Sequence, residues 1–283
     1  MALVLDGKIV KAAVLEELKA KVDSLKPGGL VPGLAVVLVG EDPASMVYVG
    51  SKVKACAALG YYSQEHRLPK ETTQEDLLKL VKSLNEDKKI HGILVQLPLP
   101  SHLKSESVIE AIDPRKDVDG LHPLNVGYLV LGRKSLKPCT PSGVMELLKY
   151  FKISLEGKKA VVIGRSILVG KPMVQLLLEA NATVTVCHSR TKDISEVTRQ
   201  ADLIVAAIGK PRFVTADMVK EGSIVVDVGI NRLPDGKLVG DVDYDNVSTK
   251  VSAITPVPGG VGVMTIALLM KNTYEAFSQQ TCV

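Results

Sequence analysis

Tyr48 and Lys52 stand four residues apart in a stretch of helical period, so they share one helix face. Alone, the pair reads as a packed tyrosine beside a solvated lysine. Gln96 sits in Val95-Gln96-Leu97-Pro98-Leu99-Pro100, at the carboxyl end of an otherwise apolar run, where open α/β sheets place their ligands. Its amide there either meets a ligand or satisfies the backbone at the strand end. Asp113, Asp117 and Asp119 fall in the turn-rich stretch Asp113-Pro114-Arg115-Lys116-Asp117-Val118-Asp119-Gly120. Carboxylates in such loops ordinarily cap turns, although one is also what an amino-pyrimidine edge needs to accept its donors.

A second group of residues points to a dinucleotide. The apolar run Ala160–Ile163 leads into Gly164-Arg165-Ser166-Ile167-Leu168-Val169-Gly170-Lys171-Pro172, then a helix, then a strand ending before His188-Ser189-Arg190. A glycine turn between a buried strand and a helix N-terminus offers backbone N–H groups and a positive dipole to a pyrophosphate. Five residues separate Gly164 and Gly170, a wider spacing than the common fingerprint. An enzyme that reads an unphosphorylated ribose carries Asp or Glu at the tip of the second strand; His188, Ser189 and Arg190 favour NADP over NAD. Further on, Ile254-Thr255-Pro256-Val257-Pro258-Gly259-Gly260-Val261-Gly262-Val263 combines glycines, suited to close backbone approach, with stiffening prolines. A sharp fold of this loop beside a ligand predicts a cis Val257–Pro258 bond.

These residues need a frame. Apolar runs alternate with helix-period segments throughout, which predicts α/β architecture with parallel strands. Strands are expected at Leu34–Val39, Tyr61–Arg67 and Gly92–Leu97, with helices over Gly7–Ser24, Ala44–Leu59 and Gln74–Asn85. The second half repeats strand, turn and helix at Ala160–Ile163, Thr183–Cys187, Leu203–Ile208 and Ile224–Val228, the order of a Rossmann-like nucleotide-binding domain. Pro138-Cys139-Thr140-Pro141-Ser142 breaks the pattern and supplies an N-cap, so the boundary is set there. The expected domains are 1–139 and 140–263. A last helix, Met264–Ser278 within 264–283, would return to the first domain, giving two crossings and a cleft between domains.

Composition narrows the class. The 283 residues hold 35 Lys and Arg against 31 Asp and Glu, without a block of like charge that would mark a nucleic-acid arm. The four cysteines, at 56, 139, 187 and 282, have no paired spacing for zinc and make no disulfide framework, so neither a metal nor an oxidising compartment is expected. No apolar run reaches membrane-spanning length and the N-terminus lacks a signal-peptide core, which predicts a cytoplasmic protein.

Over nearly its whole length the chain resembles the methylenetetrahydrofolate dehydrogenase/methenyltetrahydrofolate cyclohydrolase family. The likeness rests on Tyr48-Val49-Gly50-Ser51-Lys52, Val95-Gln96-Leu97-Pro98-Leu99-Pro100, Lys116-Asp117-Val118-Asp119-Gly120, Gly164-Arg165-Ser166 with Val169-Gly170-Lys171-Pro172, and Pro258-Gly259-Gly260-Val261-Gly262. Five motifs in order make coincidence implausible. The resemblance implies oxidation of 5,10-methylenetetrahydrofolate with NADP, then hydrolysis of the methenyl cation to 10-formyltetrahydrofolate. It implies catalytic roles for Lys52, Gln96 and Tyr48, and folate contacts from Tyr48, Asp119, Pro258, Gly259, Gly260 and Val261. Lys52 would be the base, its pKa depressed by burial and by the cationic substrate. NADP contacts would fall to Gly164, Arg165, Ser166, Ser189, Arg190, Gly209 and Ile230, and the protein would be a homodimer joined through the nucleotide-binding domain. One position departs: Val263 stands where the family's loop carries proline.

Overall fold

The computed structural model describes residues 2–25 and 28–282, apart from the side chain of Ala44. The elements run β1 (Leu3–Val4), α1 (Gly7–Leu25), β2 (Gly33–Val39), α2 (Pro43–Leu59), β3 (Tyr62–Leu68), α3 (Gln74–Glu86), β4 (Gly92–Val95), α4 (Ser105–Ala111), α5 (Pro123–Val130) and α6 (Cys139–Tyr150). They continue as β5 (Lys159–Ile163), α7 (Gly170–Glu179), β6 (Thr183–Cys187), α8 (Ile194–Thr198), β7 (Leu203–Ala206), β8 (Ile224–Asp227), β9 (Asn231–Arg232), β10 (Leu238–Val239), α9 (Tyr244–Val247), β11 (Ala253–Ile254) and α10 (Val261–Thr281).

The chain divides into two α/β units, one of Ala13–Cys139 with Ile266–Val283, the other of Met1–Ala12 with Thr140–Thr265. The first is built on a parallel sheet in the order β3-β2-β4. All seven residues of β2 are buried, as a strand covered on both faces requires, and its sequence Gly-Leu-Ala-Val-Val-Leu-Val is accordingly apolar throughout. Thr73 caps α3 by accepting from the Asp76 N–H, and Leu77, Val81 and Leu84 form its buried stripe. The C-terminal part of α10 returns to this unit, where Phe277 is buried edge-on against His91 at 4.9 Å.

The second unit holds a six-stranded sheet, β1-β11-β8-β7-β5-β6, with all five neighbouring pairs parallel. Its core includes Val161, Ile163, Ile204, Val225 and Ile254. β5 sends the chain to β6 on one side and to β7 on the other, so the order of the strands reverses at the carboxyl end of β5. A parallel sheet opens a crevice for ligands at such a point.

The expected domain 1–139 needs correction at its start. Residues 1–12 join the second unit because Leu3 and Val4 pair with Ala253 and Ile254, placing β1 at the edge of the large sheet. The chain therefore passes between units three times rather than two, the first time within α1. Two-residue strands have too few side chains for a periodic pattern, so β1 and β11 left no trace in the sequence. Three strands end earlier than the apolar pattern predicts. β4 stops at Val95, before Pro98, which has no N–H for a ladder. β7 stops at Ala206, where the Ile208 N–H turns to the Asp241 carboxylate, and β8 stops at Asp227, whose carboxylate accepts from Gly229 N–H. The last helix starts at Val261 rather than Met264, the glycine loop winding directly into its first turn.

Candidate active site

Lys52 is set by α2. Asp42 caps this helix by accepting from the Ser45 N–H at 2.8 Å, Pro43 starts it, and Gly60 ends it in the left-handed conformation at φ 79°. The Lys52 side chain is 7% exposed, and its Nζ donates to Gln96 Oε1 at 2.8 Å. Gln96 is itself fixed, because its Nε2 donates to the Leu97 carbonyl at 2.6 Å and its backbone N–H to the Val37 carbonyl at 2.8 Å. The amide oxygen is thus left for the amine. Burial drives the Lys52 pKa below its ordinary value, while the negative charge of Asp119 pulls the other way. Tyr48, one turn earlier, is 40% exposed, so its ring is open to a ligand while Lys52 is sequestered.

The acidic loop separates into structural and chemical members. Asp113 caps its own turn, accepting from the Arg115 backbone at 2.8 Å and pairing with its guanidinium. Asp117 is buried and satisfied: its Oδ2 accepts from the His122 N–H at 2.7 Å and from Asn125 Nδ2 at 2.9 Å. Lys116 donates to the carbonyls of Leu84 and Asp87. Asp119 remains. Burial raises its carboxyl pKa, and the Lys52 charge is the largest influence holding it down. Burial thus disfavours the charged form of both the Lys52 amine and the Asp119 carboxyl.

The glycine turn shows why both glycines are needed. A Cβ on Gly164, at φ 130°, would lie 2.3 Å from the Ala207 carbonyl oxygen, and one on Gly170 would lie 2.4 Å from the Gly164 oxygen and 2.7 Å from the Arg165 nitrogen. The strand end and the helix start touch backbone to backbone, which explains the five-residue spacing. Ser166 Oγ accepts from the N–H groups of Val169 and Gly170 at 3.2 and 3.3 Å, closing the turn. Beside it lies a cavity of about 280 Å³, lined among others by Arg165, Ser166, His188, Ser189 and Ile208. Arg190 lies outside that lining; its N–H donates to His188 Nδ1 at 3.2 Å. Gly209 N–H is held by Asp241 at 3.0 Å, and Ile230 is exposed, its Cδ1 2.7 Å from where a Gly262 Cβ would stand.

In the second glycine loop Val257–Pro258 is cis, as expected, and so is Leu97–Pro98, which the sequence did not flag. Part of this loop's glycine content answers to the protein itself. Gly7 N–H donates to the Gly259 carbonyl at 2.9 Å, a Cβ on Gly7 would sit 2.0 Å from the Gly260 oxygen, and one on Gly260 would sit 2.5 Å from the Pro256 oxygen. Pro258 is exposed, whereas Gly259, Gly260 and Val261 are buried. Val263 is the third residue of α10, where the N–H has no partner within the helix, so proline would be tolerated there too.

Sequence reasoning missed Asp227 and Asp241. Asp227 accepts from the N–H groups of Gly229, Asp241 and Val242, and Asp241 accepts from those of Ile208, Gly209 and Lys210 and from Asn231 Nδ2. The two carboxylates hold the loops that carry Gly209 and Ile230. An acid ending the apolar strand Ile224–Asp227 was the available signal.

A parallel sheet with its glycine turn at the switch point defines a dinucleotide-binding α/β protein, with a second unit that buries an amine. Family models agree: residues 5–119 match the catalytic domain of tetrahydrofolate dehydrogenase/cyclohydrolase, and residues 138–281 its NAD(P)-binding domain. A relative in Campylobacter concisus, the bifunctional protein FolD, is 62% identical over 273 residues, 96% of each chain. The crystal structure of the bifunctional FolD methylenetetrahydrofolate dehydrogenase/cyclohydrolase of Campylobacter jejuni is similar at a TM-score of 0.97 and 56% identity, covering 99% of this chain and 100% of that one. That of the Trypanosoma brucei methylenetetrahydrofolate dehydrogenase-cyclohydrolase, complexed with NADP cofactor and inhibitor, gives a TM-score of 0.95 and 40% identity, covering 100% and 99%. The chain belongs to the tetrahydrofolate dehydrogenase/cyclohydrolase family.

Proposed function

We propose that this protein oxidises 5,10-methylenetetrahydrofolate with NADP and hydrolyses the resulting 5,10-methenyl cation to 10-formyltetrahydrofolate. Beyond family membership, the observation that carries the reading is the buried Lys52 amine, oriented by Gln96 at 2.8 Å and electrostatically coupled to Asp119.

The two steps ask different things of the chain. The bound NADP supplies the acceptor for hydride, and the adjacent nitrogens of the substrate take up the positive charge, so oxidation needs positioning more than acid–base chemistry. Tyr48 packs against and orients the folate, Asp119 accepts from the pterin's amino and ring N–H donors, and Pro258, Gly259, Gly260 and Val261 offer further folate contacts. In hydrolysis water adds to the one-carbon bridge and gives up a proton, and the carbon–N5 bond then opens as the hydroxyl's remaining proton passes to N5 and the formyl C=O forms. Lys52 takes that proton, its neutral form favoured by burial and again by the cationic substrate. Gln96 holds the amine in place.

The residues fit NADP. Gly164 lets the strand end pack directly on the Ala207 backbone, Ser166 shapes the start of α7, and Arg165, Ser189 and Arg190 are the polar groups offered to a 2′-phosphate. Gly209 and Ile230 contribute from the loops pinned by Asp241. The 1–139 segment serves the folate and 140–263 the nucleotide, with 1–12 acting structurally in the nucleotide sheet.

A homodimer is supported by β6, an edge strand whose Thr183, Thr185 and Val186 are exposed and which can pair with a second copy. Among the described residues no helix is long and apolar enough to cross a membrane, and all four cysteines are free, which supports a reducing, cytoplasmic setting. The test of function is direct: purified protein given methylenetetrahydrofolate and NADP should first form the methenyl chromophore and then consume it. Failure to form it would refute the oxidation, and failure to consume it the hydrolysis.

A further inference from the structure

Asp241 is fully buried, and its carboxylate accepts four hydrogen bonds. Oδ2 takes the N–H groups of Ile208 and Gly209 at 2.7 and 3.0 Å, and Oδ1 takes the Lys210 N–H at 2.8 Å and Asn231 Nδ2 at 2.9 Å. A carboxylate offers about four lone-pair sites, so this one is used up within the protein. Three successive backbone N–H groups closing on one anion make the kind of concavity with which loops hold phosphates, and here the chain fills it with its own carboxylate. Gly209, at φ 65°, supplies the left-handed step in that loop.

The position of this carboxylate gives it a role in the cofactor site. Ile208 and Lys210 line the cavity beside the glycine turn, so Asp241 holds the backbone of that wall without lining it. Through Asn231 it also holds the residue that follows Ile230, joining the loop after β7 to the loop after β8. Its own backbone is fixed in turn, its N–H donating to Asp227 Oδ1 at 2.9 Å and its carbonyl accepting from the Val214 N–H at 2.9 Å. The side chain has no room to swing away, since a Cβ on Gly229 would fall 2.2 Å from its Oδ1. We propose that Asp241 is the positioning residue of the cofactor site: by gathering four donors from two loops it holds Gly209 and Ile230 in the one arrangement that receives the dinucleotide. This rests on Gly209 and Ile230 contacting NADP, as the proposed function has it.

The test is NADP binding and both activities on one variant. Asp241→Asn keeps the shape but replaces one acceptor oxygen by an N–H donor, so two of the four donors lose their acceptor. The dissociation constant for NADP, read by titration calorimetry, should rise about tenfold or more, the scale of lost hydrogen bonds to a charged group. That for NAD should rise by the same factor, because neither Gly209 nor Ile230 has a side chain that reads the 2′-phosphate. In oxidation the loss should fall on the Michaelis constant for NADP, with kcat retained at saturation, and hydrolysis of methenyltetrahydrofolate, which uses no NADP, should stay at the parent's rate. A lower kcat with an unmoved constant for NADP is what a partly unfolded population gives, and it would overturn the proposal, as would NADP binding equal to the parent's. Should Asp241→Asn not fold, Asn231→Ala removes a single donor: NADP binding should weaken about threefold, and an unchanged dissociation constant again overturns the proposal. A parent protein that does not bind NADP would refute the proposed function itself, whereas a parent that binds it and variants that bind it equally well refute the role of Asp241 alone.

Discussion

Lys52 and Gln96 form a one-way pair: the amine donates to Oε1 at 2.8 Å while the amide's Nε2 donates to the Leu97 carbonyl at 2.6 Å. Gln96 can accept from Lys52 in either protonation state without adding charge. Gln96→Glu would put a negative charge beside the amine, favour the ammonium form and raise the Lys52 pKa. A base must be neutral to work, so the rising limb of the hydrolysis rate against pH should move to higher pH, with the rate at neutral pH reduced. A pH–rate profile of the variant on methenyltetrahydrofolate checks this; a limb unmoved from the parent's position would detach Gln96 from the amine's chemistry.

Cofactor choice is read from Arg165, which lines the cavity beside the turn, and Arg190, which follows β6. Only NADP carries the extra phosphate for these guanidinium groups. Replacing both with alanine should raise the Michaelis constant for NADP at least tenfold more than that for NAD. Equal weakening of both cofactors would show that the arginines do not read the phosphate.

Gly170 has no room for a side chain, since its Cβ would stand 2.4 Å from the Gly164 oxygen. The obstacle is backbone, which cannot swing aside. Gly170→Ala should therefore cost about 1–3 kcal/mol of stability, the range for overpacking, and weaken NADP binding as well, because the turn itself must shift. Thermal denaturation and cofactor titration measure the two effects, and a variant with parent-like values would contradict the close contact.

Much of this frame is legible in the sequence. Val161, Val162 and Ile163, or Val36 and Val37, sit in apolar runs too short for helices and flanked by turn residues, and they form the buried strands. Lys52 and Gln96, 44 positions apart, are different: nothing local to either says that one accepts from the other. The partners of Asp227 and Asp241 are illegible for a related reason, since the backbone N–H groups they collect lie in separate loops and carry no pattern within any one of them.

Asp227 also leaves a mark on stability. Burial outweighs its hydrogen-bond donors and raises its pKa from 3.8 to about 7. Between these values the folded protein holds a proton that the unfolded chain has released, so this carboxyl's contribution is fullest below pH 4 and is lost as pH rises through about 7. Denaturant unfolding of the parent and of Asp227→Asn across that range should show the parent losing stability with rising pH relative to the variant. A constant difference between them would mean that Asp227 does not titrate there.

The central claim is that one lysine serves one of two reactions. Lys52→Met keeps the length and apolar stem of the side chain and removes its nitrogen, so the packing around this buried position should survive. The decisive measurement is both activities on the same folded variant. Hydrolysis of methenyltetrahydrofolate should fall by roughly two or more orders of magnitude, the scale of losing a positioned acid–base group, while oxidation of methylenetetrahydrofolate falls far less and the methenyl product accumulates. A folded Lys52→Met protein that hydrolyses methenyltetrahydrofolate at the parent's rate would contradict the account and remove Lys52 from the chemistry.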